Sequence, residues 1–325
     1  MTEQHRPTVV ICGATAGVGL ATAHHFAAAG YGVGLIARSE QGLTLTEQAL
    51  RAYGVPIHAI SMDVADAQGM LEAAQRLETE LGPIDVWINS AMATVFAPIQ
   101  QLTPEEIRRV TEVTYLGAVH GTLAALALMR PRNRGLIIQV GSALAYRPLP
   151  LQAPYCAAKF ATRGFTDALR CELHHEHSEI KLCMVQLPAI DTPQFEWARN
   201  KLAKRARPVA PIHDPQVAAR AIFSVVRRPP RELWLGMTTI TAIIGSTLIP
   251  GLLDAMLSRK AWNGQMSQER DDRERPDNLY QPVEGLHQAR GRFGHESRKT
   301  ALALSASHVL TLATIALVLL ILVLL

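Results

Sequence analysis

A five-residue apolar run, Thr8-Val9-Val10-Ile11-Cys12, passes straight into Gly13-Ala14-Thr15-Ala16-Gly17-Val18-Gly19, and an alanine-rich stretch then runs to Gly30. A short run rich in β-branched residues predicts a buried strand. The alanine-rich stretch closed by glycine predicts a helix. Glycines at a strand-to-helix turn let the backbone approach a pyrophosphate, and the helix start offers amide donors and a favourable dipole. Gly13, Thr15, Ala16, Gly17, Val18 and Gly19 are therefore candidate dinucleotide ligands. The spacing is GxxxGxG rather than GxGxxG, and a tight structural turn is the other reading of these glycines taken alone.

Strand and helix patterns alternate through the first 236 residues. Strands are expected near 8–12, 33–37, 57–61, 84–89, 135–141, 180–187 and 232–236. This alternation predicts an α/β fold, a Rossmann-like doubly wound parallel sheet of seven strands with helices on both faces. The second strand, Gly32 to Ala37, ends without an acidic residue and is followed by Arg38. An acid there would hold a ribose 2′-hydroxyl, whereas an arginine accommodates a 2′-phosphate, so NADP(H) is expected over NAD(H).

Tyr155 and Lys159 lie four residues apart, with Ser142 thirteen residues before the tyrosine. Positions i and i+4 share a helix face, which brings ammonium and phenol together. A nearby positive charge lowers a phenol pKa from about 10 towards neutrality. A serine hydroxyl beside it can polarise a carbonyl. These three residues read as proton-transfer machinery.

With these residues in place the chain resembles the short-chain dehydrogenase/reductase family over about residues 6–236. Asp63-Val64 looks like the family's adenine-contacting pair. Asn89-Ser90-Ala91 is similar to its Asn-Asn-Ala-Gly segment beside the cofactor. Pro188-Ala189-Ile190-Asp191-Thr192 is similar to its Pro-Gly-x-x-x-Thr segment near the nicotinamide. The resemblance implies a nicotinamide-dependent oxidoreductase acting on a carbonyl or alcohol. In it Tyr155 is the general acid/base, Ser142 holds the substrate oxygen, and Lys159 also holds the nicotinamide ribose. Arg38, Asp63, Val64, Asn89, Ala91, Pro188 and Thr192 would join the glycine loop around the cofactor. The family's fourth catalytic residue, an asparagine in a proton relay, falls on Thr114, and Met92 replaces a family glycine. The resemblance also implies a homodimer or homotetramer. A lyase or epimerase that retains its cofactor, and a membrane-tethered dinucleotide-binding scaffold or sensor, are the alternative functions.

Net charge is +4, too modest for nucleic-acid binding, and the basic run 201–207 reads as a solvated helix face where the family has its substrate lid. The four cysteines show no metal spacing, and His174-His175-Glu176-His177 suits a helix C-terminus better than a metal site. Residues 1–236 are expected to form the catalytic domain and 237–300 an extension. Within it, 238–257 would pack over the substrate cleft or against a membrane, and 258–300 would be largely extended and exposed. Trp262 and Tyr280 are docking points should it fold back. Residues 309–325 carry no charge, and 301–325 hold His308 as their single ionisable side chain. About 20 apolar residues span a hydrocarbon core, so 301–325 reads as one membrane anchor. Arg290, Arg292, Arg298 and Lys299 before it would keep the enzyme on the cytoplasmic side. A tether of this kind suits a lipophilic substrate.

Overall fold

The computed structural model describes residues 6–272, 274–311 and 314–315. Among these, eight strands make the central sheet. Their spatial order is Ala303–Ser305, Glu232–Leu235, Lys181–Leu187, Leu136–Ser142, Val86–Asn89, Thr8–Cys12, Gly32–Ala37 and Ile57–Ser61. Seven run parallel, within a residue or two of their expected bounds. The eighth, Ala303–Ser305, pairs antiparallel with Glu232–Leu235, with Trp234 opposite Leu304. Residues 301–325 therefore do not begin as an anchor. A helical segment starts at Ala306, and Ala306 and Val309 are buried against Trp234, Ile240 and Ile243. The rest of the expected anchor, 312–313 and 316–325, lies outside the described residues.

Alternation along each strand sends side chains to opposite faces. Val9, Ile11, Val33, Leu35, Ile138 and Val185 pack with Phe26, Val217 and Ile222 from helices Gly17–Ala28 and Pro215–Ser224. Val10, Cys12, Ile36, Trp87 and Ile137 pack with Met70, Leu77, Val110, Ala125 and Leu169 on the other face. Both faces are covered, which is why the strands read as continuous apolar runs. Local chemistry sets the helix starts. Asp66 caps Ala67–Leu81, Asp214 caps Pro215–Ser224, and Thr103 forms a capping box with Glu106 ahead of Pro104. The stretch Pro104–Arg132 is long and apolar enough to cross a membrane, but 56% of its most apolar window is buried inside the fold, as expected of a core helix.

Strand order reverses between Thr8–Cys12 and Val86–Asn89. A crevice forms beyond the carboxyl ends of strands at such a switch point. The extension closes over it. Helices Met237–Leu248 and Pro250–Gly264 form a hairpin beside the crevice. Met266–Arg270 pairs antiparallel with Lys204–Ala206, so the basic run is part of a strand rather than a helix face. The expected extended, exposed course of 258–300 also gives way to packing. Leu279 and Phe293 are buried in the core clusters, Arg275 donates to the carbonyls of Glu196 and Ala198 at 2.5 and 2.7 Å, and Arg290 pairs with Asp214 at 2.7 Å.

Candidate active site

Each glycine of the first loop has its own steric reason. Gly13 has φ +86°, and a Cβ there would sit 2.7 Å from the Ala91 Cα. Gly17 has φ +56°, and a Cβ at Gly19 would lie 1.9 Å from the Gly13 carbonyl oxygen. Any side chain at 13 or 19 would break this turn. The space kept clear opens into a cavity of about 810 Å³. Gly13, Thr15, Ala16, Gly17, Val18, Gly19, Arg38, Asp63, Val64 and Ala91 line one end, and Pro188 and Thr192 line it further along. The residues present fit a dinucleotide: glycines without side chains and the start of helix Gly17–Ala28 line the cavity, with the Gly17 amide donating to the Gln288 carbonyl.

Ser142, Tyr155 and Lys159 line the same cavity. Ser142 ends the strand Leu136–Ser142, and its Oγ accepts from the Leu144 amide at 3.1 Å. Tyr155 and Lys159 stand one turn apart near the start of helix Ala153–His175. The Lys159 Nζ lies 5.7 Å from the centre of the Tyr155 ring and donates to the Val140 carbonyl at 2.8 Å. Burial pushes the Lys159 ammonium down to about 8. Burial also pushes the Tyr155 phenol above its ordinary value, opposed by a hydrogen bond with Ser142. The phenol is thus raised rather than lowered as expected, with burial the largest cause, and the ammonium is bonded to Val140. A phenol in this state keeps its proton at neutral pH.

Two expected site residues lie elsewhere. Thr114 sits in a π turn, Glu112–Leu116, and is buried. Its hydroxyl donates to the Ala93 carbonyl at 3.0 Å and accepts from the Ala93 amide at 2.9 Å. It clamps the loop after Val86–Asn89 and does not line the cavity. Asn89 also turns inward. It accepts from the Trp87 indole at 3.0 Å and donates to Thr122 and Gln139 at 3.1 Å each. Its side-chain amide is spent on core partners, and Asn89 is not among the residues that line the cavity. The neighbouring Ser90 and Met92 line the cavity instead.

Two further walls close the cavity, the first from the segment 238–257, expected over the cleft or against a membrane, the second not anticipated. One is the hairpin, which brings Ile249, Leu253, Met256 and Leu257 to the cavity opposite Leu149 and Val209. The other is Asn278, Pro282, Val283 and His287, which cover the Arg38 end. The apolar lid was signalled by the uncharged run from Thr238, but the second wall has no local signature.

The short chain dehydrogenase family model matches residues 7–203. An uncharacterized oxidoreductase of Bacillus subtilis is 29% identical over 86% of this chain and 79% of its own length. A dehydrogenase/reductase of Bos taurus, SDR family member 7B, is 35% identical over 78% of this chain and 81% of its own. A short chain dehydrogenase/reductase structure from Burkholderia phymatum, in complex with NAD, superposes with a TM-score of 0.68 at 19% identity, covering 79% and 97% of the two chains. Other solved chains of this fold carry NADP forms. On its glycine loop, its strand order and this match across more than half its length, the chain belongs to the short-chain dehydrogenase/reductase family of oxidoreductases.

Proposed function

We propose that this enzyme moves a hydride between NADP(H) and a lipophilic carbonyl or alcohol, with Tyr155 as proton donor and acceptor. The observation that carries this reading is the convergence of Ser142, Tyr155 and Lys159 with the glycine loop on one cavity. The bound dinucleotide would supply the hydride. Around it the chain's own groups divide the work. The glycine loop and Thr192 would hold its phosphates and nicotinamide end, and Arg38 is the group suited to a 2′-phosphate. Ser142 would hold the substrate oxygen beside the Tyr155 phenol. Tyr155 then gives its proton to that oxygen as a carbonyl is reduced, and takes one back in the reverse direction. Lys159 lies behind the tyrosine and would support the ribose.

The apolar hairpin wall supports a lipophilic substrate. Leu248 and Leu252, at the hairpin turn, are 72% and 66% exposed next to the cavity mouth. An apolar crown at a cleft entrance suits contact with a membrane. The uncharged sequence after Val309 supports the same placement, as a tether with the enzyme on the cytoplasmic side.

The test is the purified full chain with NADPH and a panel of ketones of rising hydrophobicity, followed by loss of NADPH absorbance. Turnover that favours the apolar ketones and disappears in Tyr155→Phe is expected. Absence of turnover with every ketone, or turnover indifferent to Tyr155→Phe, would contradict the reading.

A further inference from the structure

Residues 278–288 cross the cavity like a strap and engage the groups that a dinucleotide phosphate would use. The Gly17 amide, at the start of the glycine-loop helix, donates to the Gln288 carbonyl at 3.0 Å. The Arg38 guanidinium donates to the carbonyls of Asn278 and Tyr280 at 2.5 and 2.9 Å. Arg109, which pairs with Asp63, donates to the Leu279 carbonyl at 2.9 Å. The strap is held on both sides, by the Asn278 amide on the Trp197 carbonyl at 2.8 Å and by the Gly291 amide on Asp191.

One side chain of the strap is anionic. The Ser39 hydroxyl donates to Glu284 Oε2 at 2.7 Å, and His287 Nε2 lies 2.7 Å from the same oxygen. These bonds hold the Glu284 carboxyl below the usual carboxylate range. Ser39 is also the N-cap of the 11-residue helix Glu40–Leu50 and directly follows Arg38. A carboxylate therefore rests on the N-cap hydroxyl of a helix, on the residue that follows Arg38, at the carboxyl end of the second strand. A ribose 2′-phosphate would take this place in a dinucleotide site.

We propose that the Glu284 carboxylate holds the place of the cofactor 2′-phosphate, which makes the strap a tethered competitor that disfavours NADP(H) more than NAD(H). The inference rests on the dinucleotide reading of the cavity given above. Two anions at one helix start repel, so NADP(H) has to displace Glu284 before Arg38 can serve its phosphate. The neutral 2′-hydroxyl of NAD(H) raises no such conflict, because a carboxylate can accept its hydrogen bond. Both cofactors meet the same backbone contacts at Gly17, so only the 2′ group separates them.

The experiment measures dissociation constants of NADPH and NADH by calorimetry on the full chain, for the wild type, Glu284→Gln and Glu284→Lys. Glu284 is half exposed, and thermal unfolding confirms that each variant is folded. Glu284→Gln is expected to bind NADPH about tenfold more tightly, about 1.4 kcal/mol, with NADH changed less than twofold. Glu284→Lys is expected to widen the gap further. An unchanged NADPH-to-NADH ratio, or tightening of both cofactors alike, would overturn the inference. Failure of either cofactor to bind any form would overturn the dinucleotide reading, and this inference with it.

Discussion

The Lys159 ammonium donates to the Val140 carbonyl at 2.8 Å, two residues before Ser142 on the neighbouring strand. This bond ties the Tyr155 helix to the Ser142 strand through a buried charge. Burial brings the ammonium down to about 8, so it loses its proton just above neutrality. The lowered value means that Lys159 is charged below about 8 and neutral above it in the folded enzyme. We predict that kcat/KM for carbonyl reduction falls as pH rises through about 8, since this ratio reports the free enzyme. In Lys159→Met the descending limb is expected to vanish along with most of the rate, as read from pH–rate profiles of both forms.

Thr114 satisfies both polar groups of Ala93. Thr114→Val would leave a buried amide and carbonyl without partners, at about 1–3 kcal/mol each. A loss of about 2–4 kcal/mol in urea unfolding is expected for Thr114→Val, and under about 1 kcal/mol for Thr114→Ser, which keeps the hydroxyl. Equal stability of the two variants would show that the clamp is unimportant.

Glu232 is buried and accepts from Tyr146 at 2.6 Å, Trp234 at 2.8 Å and Gln186 at 3.4 Å, with Arg163 at 3.9 Å. Removing one partner of a buried charged network is far more costly than removing the whole network. We predict that Glu232→Ala destabilises the fold by about 3–5 kcal/mol, visible as a lower denaturation midpoint by circular dichroism, with Glu232→Gln milder.

Gly19 leaves no room for a methyl group next to the Gly13 carbonyl. Gly19→Ala is expected to shift the loop and weaken dinucleotide binding at least about tenfold, measured as a change in Kd. Gly30, with open space around it at φ +87°, is a control whose Ala variant strains only its own backbone.

Much of this architecture could be read locally. The run from Thr8 to Gly30 encodes its strand, turn and helix through neighbouring residues, and Tyr155 and Lys159 meet through a single helical turn. The inner parallel strands are buried on both faces and so appear as apolar runs, whereas Ile57–Ser61 at the sheet edge is only partly buried. What escaped reading was set by distant partners. Ala303–Ser305 becomes a strand only because Glu232–Leu235 offers an edge some seventy residues earlier. Asn89 and Thr114 occupy motif positions, but the direction of a side chain depends on which carbonyls and hydroxyls surround it. The strap was the least legible, because it holds Arg38 and Gly17 with backbone carbonyls, which any residue type can supply.

Tyr155 bears the central claim, and isotope transfer tests it most directly. NADPH carrying deuterium on the transferred position of its nicotinamide is supplied with a ketone that the enzyme turns over, and the product is read by mass spectrometry. One deuterium on the carbinol carbon is expected from the wild type. Tyr155→Phe is expected to lose about 10²–10⁴ in rate while its Kd for the dinucleotide stays within about twofold. Product formed without deuterium, or labelled product formed at the wild-type rate by Tyr155→Phe, would contradict the account.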